Sequence, residues 1–198
     1  MINAAKLRRV AAIIVLAGAS LTLGACATAA LPSQMSVRPG DLAALDAGAP
    51  GYHRLRVVQI QGGSATNPLW LSNVSNDDFR AALVSSLAVM GYLADDPAKA
   101  DLELTASIVD LERPVVAIQP TVVSKVRYTV SPAGGGAPLF DETLAASGTP
   151  TMAESFFEPD PTRPANEAAM RANISIFLQE LQRTLKAKVA VKGGCRPS

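Results

Sequence analysis

The chain has 198 residues and a mass of 20.5 kDa, the size of one domain with a targeting segment. Hydrophobic residues make up 48% and charged residues 18%, which excludes a wholly disordered protein. After the first 25 residues, 15 basic and 17 acidic side chains give a net charge of −2. This balance argues against a protein that binds nucleic acid through its phosphates.

The N-terminal segment has the pattern of a secretory signal peptide. Lys6, Arg8 and Arg9 precede an apolar run from Val10 to Leu23. Crossing the hydrocarbon core of a bilayer takes about 20 apolar residues, so this run is too short for a transmembrane helix. Its length and its basic flank are typical of a cleaved export signal.

The residues Leu23-Gly24-Ala25-Cys26 directly follow that run. They resemble the lipobox of bacterial lipoproteins, in which a leucine and two small residues precede a cysteine. The resemblance implies cleavage between Ala25 and Cys26, and acyl chains on Cys26 that hold the protein on a membrane. Ala27, where an aspartate would favour the inner membrane, implies the periplasmic side of the outer membrane. The alternative is an ordinary signal peptide with an incidental cysteine.

Cysteine use and composition predict the organisation of the chain. Cys26 and Cys195 are its two cysteines, so lipidation of Cys26 leaves no partner for a disulfide within the mature chain. The stretch after Cys26 is rich in Ala, Gly and Pro, as flexible tethers are. The predicted regions are a signal peptide (1–25), a lipidated N-terminus with a flexible tether (26–51), one domain (52–190) and a flexible tail (191–198).

A strand and a helix open the predicted domain. The run from His53 to Ile60 is rich in β-forming residues. Ser75, followed by Asp77 and Asp78, indicates a helix start because a hydroxyl caps free N–H groups and acids favour that end of the dipole. Apolar residues then recur every three or four positions until Gly91, the predicted residue after the helix.

Three strands and a closing helix complete the predicted domain. Polar and apolar residues alternate in three runs: 101–113, 122–131 and 139–146. A helix beginning near 164–166 carries an apolar stripe, and its polar residues Glu167, Arg171 and Asn173 are assigned to a solvated face. The order β-α-β-β-β-α predicts an α+β two-layer sandwich, with a mostly antiparallel sheet and two amphipathic helices on one face.

A search for catalytic and metal-binding patterns yields no candidate site. His53 is the chain's single histidine, and Cys195 lies far away in the predicted tail. The pair Asp95-Asp96 precedes Pro97 and is explained by a turn. We therefore expect no catalytic residue, no metal and no cofactor, and a protein that is not an enzyme.

Apolar side chains in the connecting segments form a candidate interaction surface. Exposed apolar clusters often bind a partner, although aromatic residues in loops can also fold back onto the core. The candidates are Trp70, Val116, Ile118, Phe156 and Phe157.

Two stretches, NPLWLSNVSNDDFRAALVSSLAVMGYL and NEAAMRANISIFLQEL, resemble a group of uncharacterised proteobacterial lipoproteins over most of residues 55–185. More loosely, the chain is similar to auxiliary lipoproteins of envelope lipid-transport systems. The resemblance implies no known activity. The lipobox, the missing catalytic pattern and the apolar loop segments lead us to expect a lipid-anchored, non-enzymatic accessory or scaffold that faces the periplasm and binds an envelope protein. The alternatives are a carrier with a lipid or other apolar ligand between sheet and helices, and an enzyme of unknown type.

Overall fold

The computed structural model describes residues 28–66, 72–113, 120–151, 160 and 162–194. Besides a short 3₁₀ turn at Pro97–Lys99, the elements in chain order are α1 (Pro32–Met35), β1 (Leu55–Gln61), α2 (Asn76–Val89), β2 (Leu102–Glu112), β3 (Val122–Pro132), β4 (Phe140–Gly148) and α3 (Thr162–Gly194). The predicted α+β class and the order β-α-β-β-β-α are confirmed, with α1 as an addition.

The four strands form one sheet in the order β1-β2-β3-β4. β1 pairs parallel with β2, and the other two pairs are antiparallel, as predicted for the three-strand meander. Along β2 and β3 buried residues alternate with more exposed ones, because successive side chains point to opposite faces of a sheet. One face therefore packs against the helices and the other faces solvent.

The two ends of the sheet are named here by a nearby residue. At the Arg113 end, β2 and β4 finish and β3 begins, so that this end contains Glu112, Val122 and Gly148. β1 points toward this end and finishes earlier, where Gln61 pairs with Ser107. At the opposite, Leu185 end lie Leu55, Leu102, Pro132 and Phe140.

Helix α2 begins where its sequence predicts. The N–H of Asp78 donates a 3.1 Å hydrogen bond to Oγ of Ser75, and that hydroxyl donates to Oδ2 of Asp78 at 2.6 Å. Gly91 follows the helix with a φ of +77°, a conformation that glycine adopts without strain. The helix thus runs from the Arg113 end to the Leu185 end.

Helix α3 packs on β3 and β4 through an aromatic cluster. The rings of Tyr128 and Phe177 stack with centroids 4.1 Å apart, and Phe140 meets Phe177 edge-on at 5.7 Å. Nearer the helix start the backbones touch, since a Cβ added to Gly148 would lie 2.0 Å from the backbone nitrogen of Ala169. β4 therefore needs glycine at this crossing.

The segment over residues 28–51 packs on the domain, and the predicted flexible tether is wrong for these residues. Met35 is fully buried, and Ala30, Val37 and Leu45 are at most 7% exposed. The backbone N–H of Val37 donates to Oγ of Ser86, and the N–H of Leu45 to the carbonyl of Met90, both at 3.0 Å.

This segment, which we call the N-terminal strap, contacts both α2 and α3 through α1. It begins at the Arg113 end, where the N–H of Ala30 donates to the carbonyl of Asn73. It ends at the Leu185 end, where Gly51 lies against Leu185. Its apolar side chains have no regular period in the sequence, so periodicity does not reveal the packing.

Helix α3 also extends past the predicted end of the domain at residue 190. It continues to Gly194. Its last turns are solvated, since Val189 is 56% and Val191 72% exposed. The rest of the predicted tail, 195–198, lies outside the described residues.

Candidate functional site

Several predicted site residues lie outside the described part of the chain. These are the lipobox residues Ala25 and Cys26, and the five surface candidates Trp70, Val116, Ile118, Phe156 and Phe157. The described residues that flank the surface candidates meet at the Arg113 end. There the N–H of Ser72 donates to Oδ2 of Asp160 at 2.9 Å, and the hydroxyls of Thr121 and Thr149 lie 2.8 Å apart.

A half-buried guanidinium links three parts of the chain at this end. Arg113 donates to Oδ1 of Asn73 at 2.9 Å and to Oδ1 of Asn166 at 3.2 Å. Burial lowers the pKa of Arg113, and the nearby carboxylates of Asp160 and Asp110 oppose that shift. The contacts join the end of β2, the segment before α2 and the first turn of α3.

Asp160 and Asn166 complete the same cluster from the α3 side. Asp160 accepts the N–H of Thr162 at 2.9 Å and thereby satisfies a free donor of the first helical turn. The amide of Asn166 donates to the carbonyl of Ser72 at 2.9 Å. A polar cavity of about 220 Å³ lies beside Arg113. Because the polar groups of the cluster bind each other and the backbone, the arrangement holds chain segments together.

An apolar cavity of about 300 Å³ opens at the Leu185 end. The strap, the sheet and α3 supply its walls, which makes it a pocket between sheet and helix. Its lining residues are Pro50, Gly51, Arg54, Leu102, Leu139, Leu185, Lys188 and Val189.

Two cationic side chains border this cavity. Nε of Arg54 donates to Oδ2 of Asp101 at 2.6 Å. Lys188 lies on the solvated last turns of α3. A mostly apolar pocket with a few charged groups at its rim is the usual form of a small-molecule site. This cavity is the described feature best suited to hold an apolar ligand.

His53 contacts Asp95 at the surface. Its Nδ1 lies 2.9 Å from Oδ1 of Asp95, and its ring stacks on Tyr52 with centroids 4.1 Å apart. Asp96 accepts the N–H of Ala98 at 2.9 Å and caps the 3₁₀ turn, as predicted, whereas Asp95 contacts His53. Within the described ranges, no group of three or more His, Cys, Asp or Glu residues is placed to hold a metal ion.

The solvated face of the sheet carries paired charges. Arg127 binds both carboxylate oxygens of Asp141, at 2.9 and 2.8 Å, and Lys125 binds Glu112. The hydrogen bond from Arg127 lowers the pKa of Asp141, and that from Lys125 lowers the pKa of Glu112. These pairs make the described part of this face around β3 hydrophilic.

The assignment of Asn173 and Glu167 to a solvated helix face is wrong. Asn173 is fully buried, and its Oδ1 accepts a 2.9 Å hydrogen bond from the hydroxyl of Tyr128. Its amide nitrogen donates to the carbonyls of Ser124 and Leu144, at 3.2 and 2.9 Å.

Glu167 is 5% exposed and accepts the N–H of Leu31 at 2.8 Å. Helical spacing is the signal that reveals both residues. Glu167 precedes Met170 by three positions, and Asn173 precedes Phe177 by four, so both lie on the apolar stripe.

In the part of the chain that the structure describes, no helix is both long enough and apolar enough to span a membrane. The predicted signal peptide lies outside those residues.

Comparison with known proteins shows the fold. No family model and no curated protein matches the chain. A Xanthomonas campestris structure of the family DUF330 superposes with a TM-score of 0.57 at 11% identity and covers 82% of this chain and 99% of its own.

Two further structures are similar at lower scores. A candidate lipoprotein from Caulobacter crescentus has a TM-score of 0.45 at 17% identity, covering 75% of this chain and 96% of its own. A hypothetical protein from Chlamydia trachomatis has a TM-score of 0.37 at 14% identity, covering 67% of this chain and 94% of its own. The TM-score of 0.57 shows that the chain shares its fold with the Xanthomonas protein.

Proposed function

We propose that this protein is a lipid-anchored envelope lipoprotein on the periplasmic side of the outer membrane of a Gram-negative bacterium. In this proposal it is a non-enzymatic accessory or scaffold for an envelope assembly or transport system. The observation that carries the proposal is the short stretch of chain between the lipobox cysteine and the first buried residue of the domain. Ala30, four residues after Cys26, is already buried and bonded to Asn73.

This succession suits a scaffold rather than a freely tethered carrier. A long flexible tether would let the domain diffuse over tens of ångströms from its lipid. A strap that packs from Ala30 onward fixes the domain next to its anchor. A domain held in one orientation can present the same surface to an envelope partner at all times. On a long tether that surface would point in many directions.

Labelling with radioactive palmitate tests the anchor. We expect Cys26→Ser to lose the label and to move from the membrane to the soluble fraction, because the acylated side chain is gone. Cys195→Ser is the matched control and should keep both the label and the membrane fractionation. Retention of label or of membrane fractionation in Cys26→Ser would refute the anchor.

Gentle extraction of the native protein tests the scaffold role. We expect one envelope protein to copurify in a fixed molar ratio and to be lost when the protein is released as Cys26→Ser. If no protein copurifies in a fixed ratio, the scaffold role is contradicted, whereas the lipid anchor is not.

The apolar cavity supports a second candidate function, that of a carrier for a lipid or other apolar ligand. Its volume of about 300 Å³ is at the lower limit of ligand pockets. Val189→Trp would fill the cavity from its exposed rim, whereas Val191→Trp, on the same turns but outside the lining, is the control. A carrier predicts a copurified lipid in wild type and Val191→Trp, reduced in Val189→Trp. Its absence from the wild type would exclude this role.

A further inference from the structure

The beginning of the strap fixes which end of the domain is nearest to the predicted lipid. The N–H of Ala30 donates to the carbonyl of Asn73, and the N–H of Leu31 donates to Oε1 of Glu167 at 2.8 Å. Both acceptors belong to the Arg113 end. Among the described residues, the strap therefore enters the fold at this end.

The reach of the intervening chain is short. Ala30 is four positions after Cys26, and an extended chain spans at most about 3.6 Å per residue. The α-carbon of Cys26 thus lies within about 14 Å of that of Ala30. Along α3, by contrast, the 21 residues from Glu167 to Lys188 rise about 31 Å toward the Leu185 end.

We propose that the Arg113 end of the domain faces the bilayer that holds the acyl chains of Cys26, while the Leu185 end points into the periplasm. This inference rests on the proposed function, because it needs a lipid on Cys26. The bilayer-facing surface consists of the described residues around Ala30, Ser64, Thr121 and Thr149.

Two charged side chains of the Arg113 end, those of Arg113 and Asp160, are turned inward, into hydrogen bonds between segments. The solvated face of the sheet carries exposed ion pairs, with Lys125 and Glu112 at this same end and Arg127 and Asp141 further along β3.

The orientation gives the apolar cavity a defined place. It lies about 31 Å along α3 from the point where the strap enters. Its opening, between Arg54 and Lys188, is then on the periplasmic side, where a partner or ligand can approach without meeting the bilayer.

Fluorescence quenching by nitroxide-labelled lipid tests the proposal on the full lipidated protein in phosphatidylglycerol–phosphatidylethanolamine vesicles. In a Cys195→Ser background a fluorophore is placed at Thr121→Cys, at the Arg113 end, or at Gly134→Cys, in the turn at the Leu185 end. Both sites are exposed, and a Cβ on Gly134 meets no atom within 4 Å. We expect at least fivefold stronger quenching at 121 than at 134.

The outcomes separate the two proposals. Equal quenching at both sites, or stronger quenching at 134, in a protein that sediments with the vesicles overturns the orientation but keeps the anchor. A protein that stays in the supernatant contradicts the anchor itself.

A linker variant tests the physical cause. A flexible Gly/Ser insert of about 20 residues after Ala27 has a root-mean-square length of about 25 Å. It should lower quenching at 121 toward the value at 134 while sedimentation is unchanged. Undiminished quenching at 121 would show that the short link does not orient the domain.

Discussion

The backbone N–H of Leu31 donates a 2.8 Å hydrogen bond to the buried carboxylate of Glu167, 136 positions later in the chain. This bond fastens the beginning of the strap to the first turns of α3. Arg163 lies near the same carboxylate, 3.9 Å away. The start of the strap is therefore held by a carboxyl acceptor inside the fold.

Glu167→Ala should loosen the strap. It removes the acceptor of the part-buried N–H of Leu31, and the loss of such a hydrogen bond costs about 0.5–1.5 kcal/mol. We expect that loss in urea unfolding, together with faster proteolysis within residues 28–36. Glu180→Ala is the control, since Glu180 is partly exposed and pairs with Arg183 on the outer side of the same helix. Equal effects of the two substitutions would contradict the role of Glu167.

Tyr128 and Asn173 should behave as one unit. Tyr128→Phe removes the donor to Oδ1 of Asn173 and should cost about 1–3 kcal/mol in the free energy of unfolding. In the double variant Tyr128→Phe/Asn173→Leu, the loss should be smaller than the sum of the single losses by about 0.5–3 kcal/mol. Additive losses in urea unfolding would show that the two residues are not coupled.

The free energy of unfolding should decrease at high pH. Burial raises the pKa values of Tyr128 and Tyr92 above their ordinary value near 10, so the folded protein keeps both hydroxyls neutral. Their contribution is complete below about pH 10, and it is lost as the pH rises further because the unfolded chain ionises first. We expect the free energy of unfolding to decline above that pH, less steeply in Tyr128→Phe.

Absorbance of tyrosinate checks this expectation independently. The difference between wild type and Tyr128→Phe should show ionisation of Tyr128 only together with unfolding. Ionisation near pH 10 in a protein that remains folded by circular dichroism would contradict the buried environment of the ring.

Gly148 should tolerate no side chain. A Cβ there would lie 2.0 Å from the backbone nitrogen of Ala169, so β4 and α3 would have to separate. Gly148→Ala should lower the free energy of unfolding by at least about 2 kcal/mol. Gly134→Ala, where a Cβ meets no atom within 4 Å, should change it by less than about 0.5 kcal/mol. Similar losses in thermal unfolding would contradict this close approach.

The sequence predicts the elements of this fold well because their signals are local. Ser75 and Gly91 mark the two ends of α2 through capping chemistry that involves neighbouring residues only. The alternation along β2 and β3 reflects one buried and one solvated face. Such patterns need no knowledge of distant contacts.

The strap and the buried polar residues depend on contacts between distant parts of the chain. Met35 and Leu45 belong to the buried core, and no periodic pattern marks such isolated contacts. Glu167 and Asn173 are polar, so composition assigns them to solvent, although their helical phase places them on the apolar stripe. The cavity at the Leu185 end joins three distant parts of the chain, and only the folded arrangement shows it.

The proposed anchor and the proposed orientation of the domain both depend on what is attached to residue 26 in the mature protein. Mass spectrometry of the N-terminal peptide, isolated from membranes, measures this without any variant. We predict a chain that begins at Cys26 and carries the added mass of a diacylglyceryl group and an N-linked acyl chain. A mature chain that begins at another residue, or a Cys26 with a free thiol, would contradict both the anchor and the orientation of the domain.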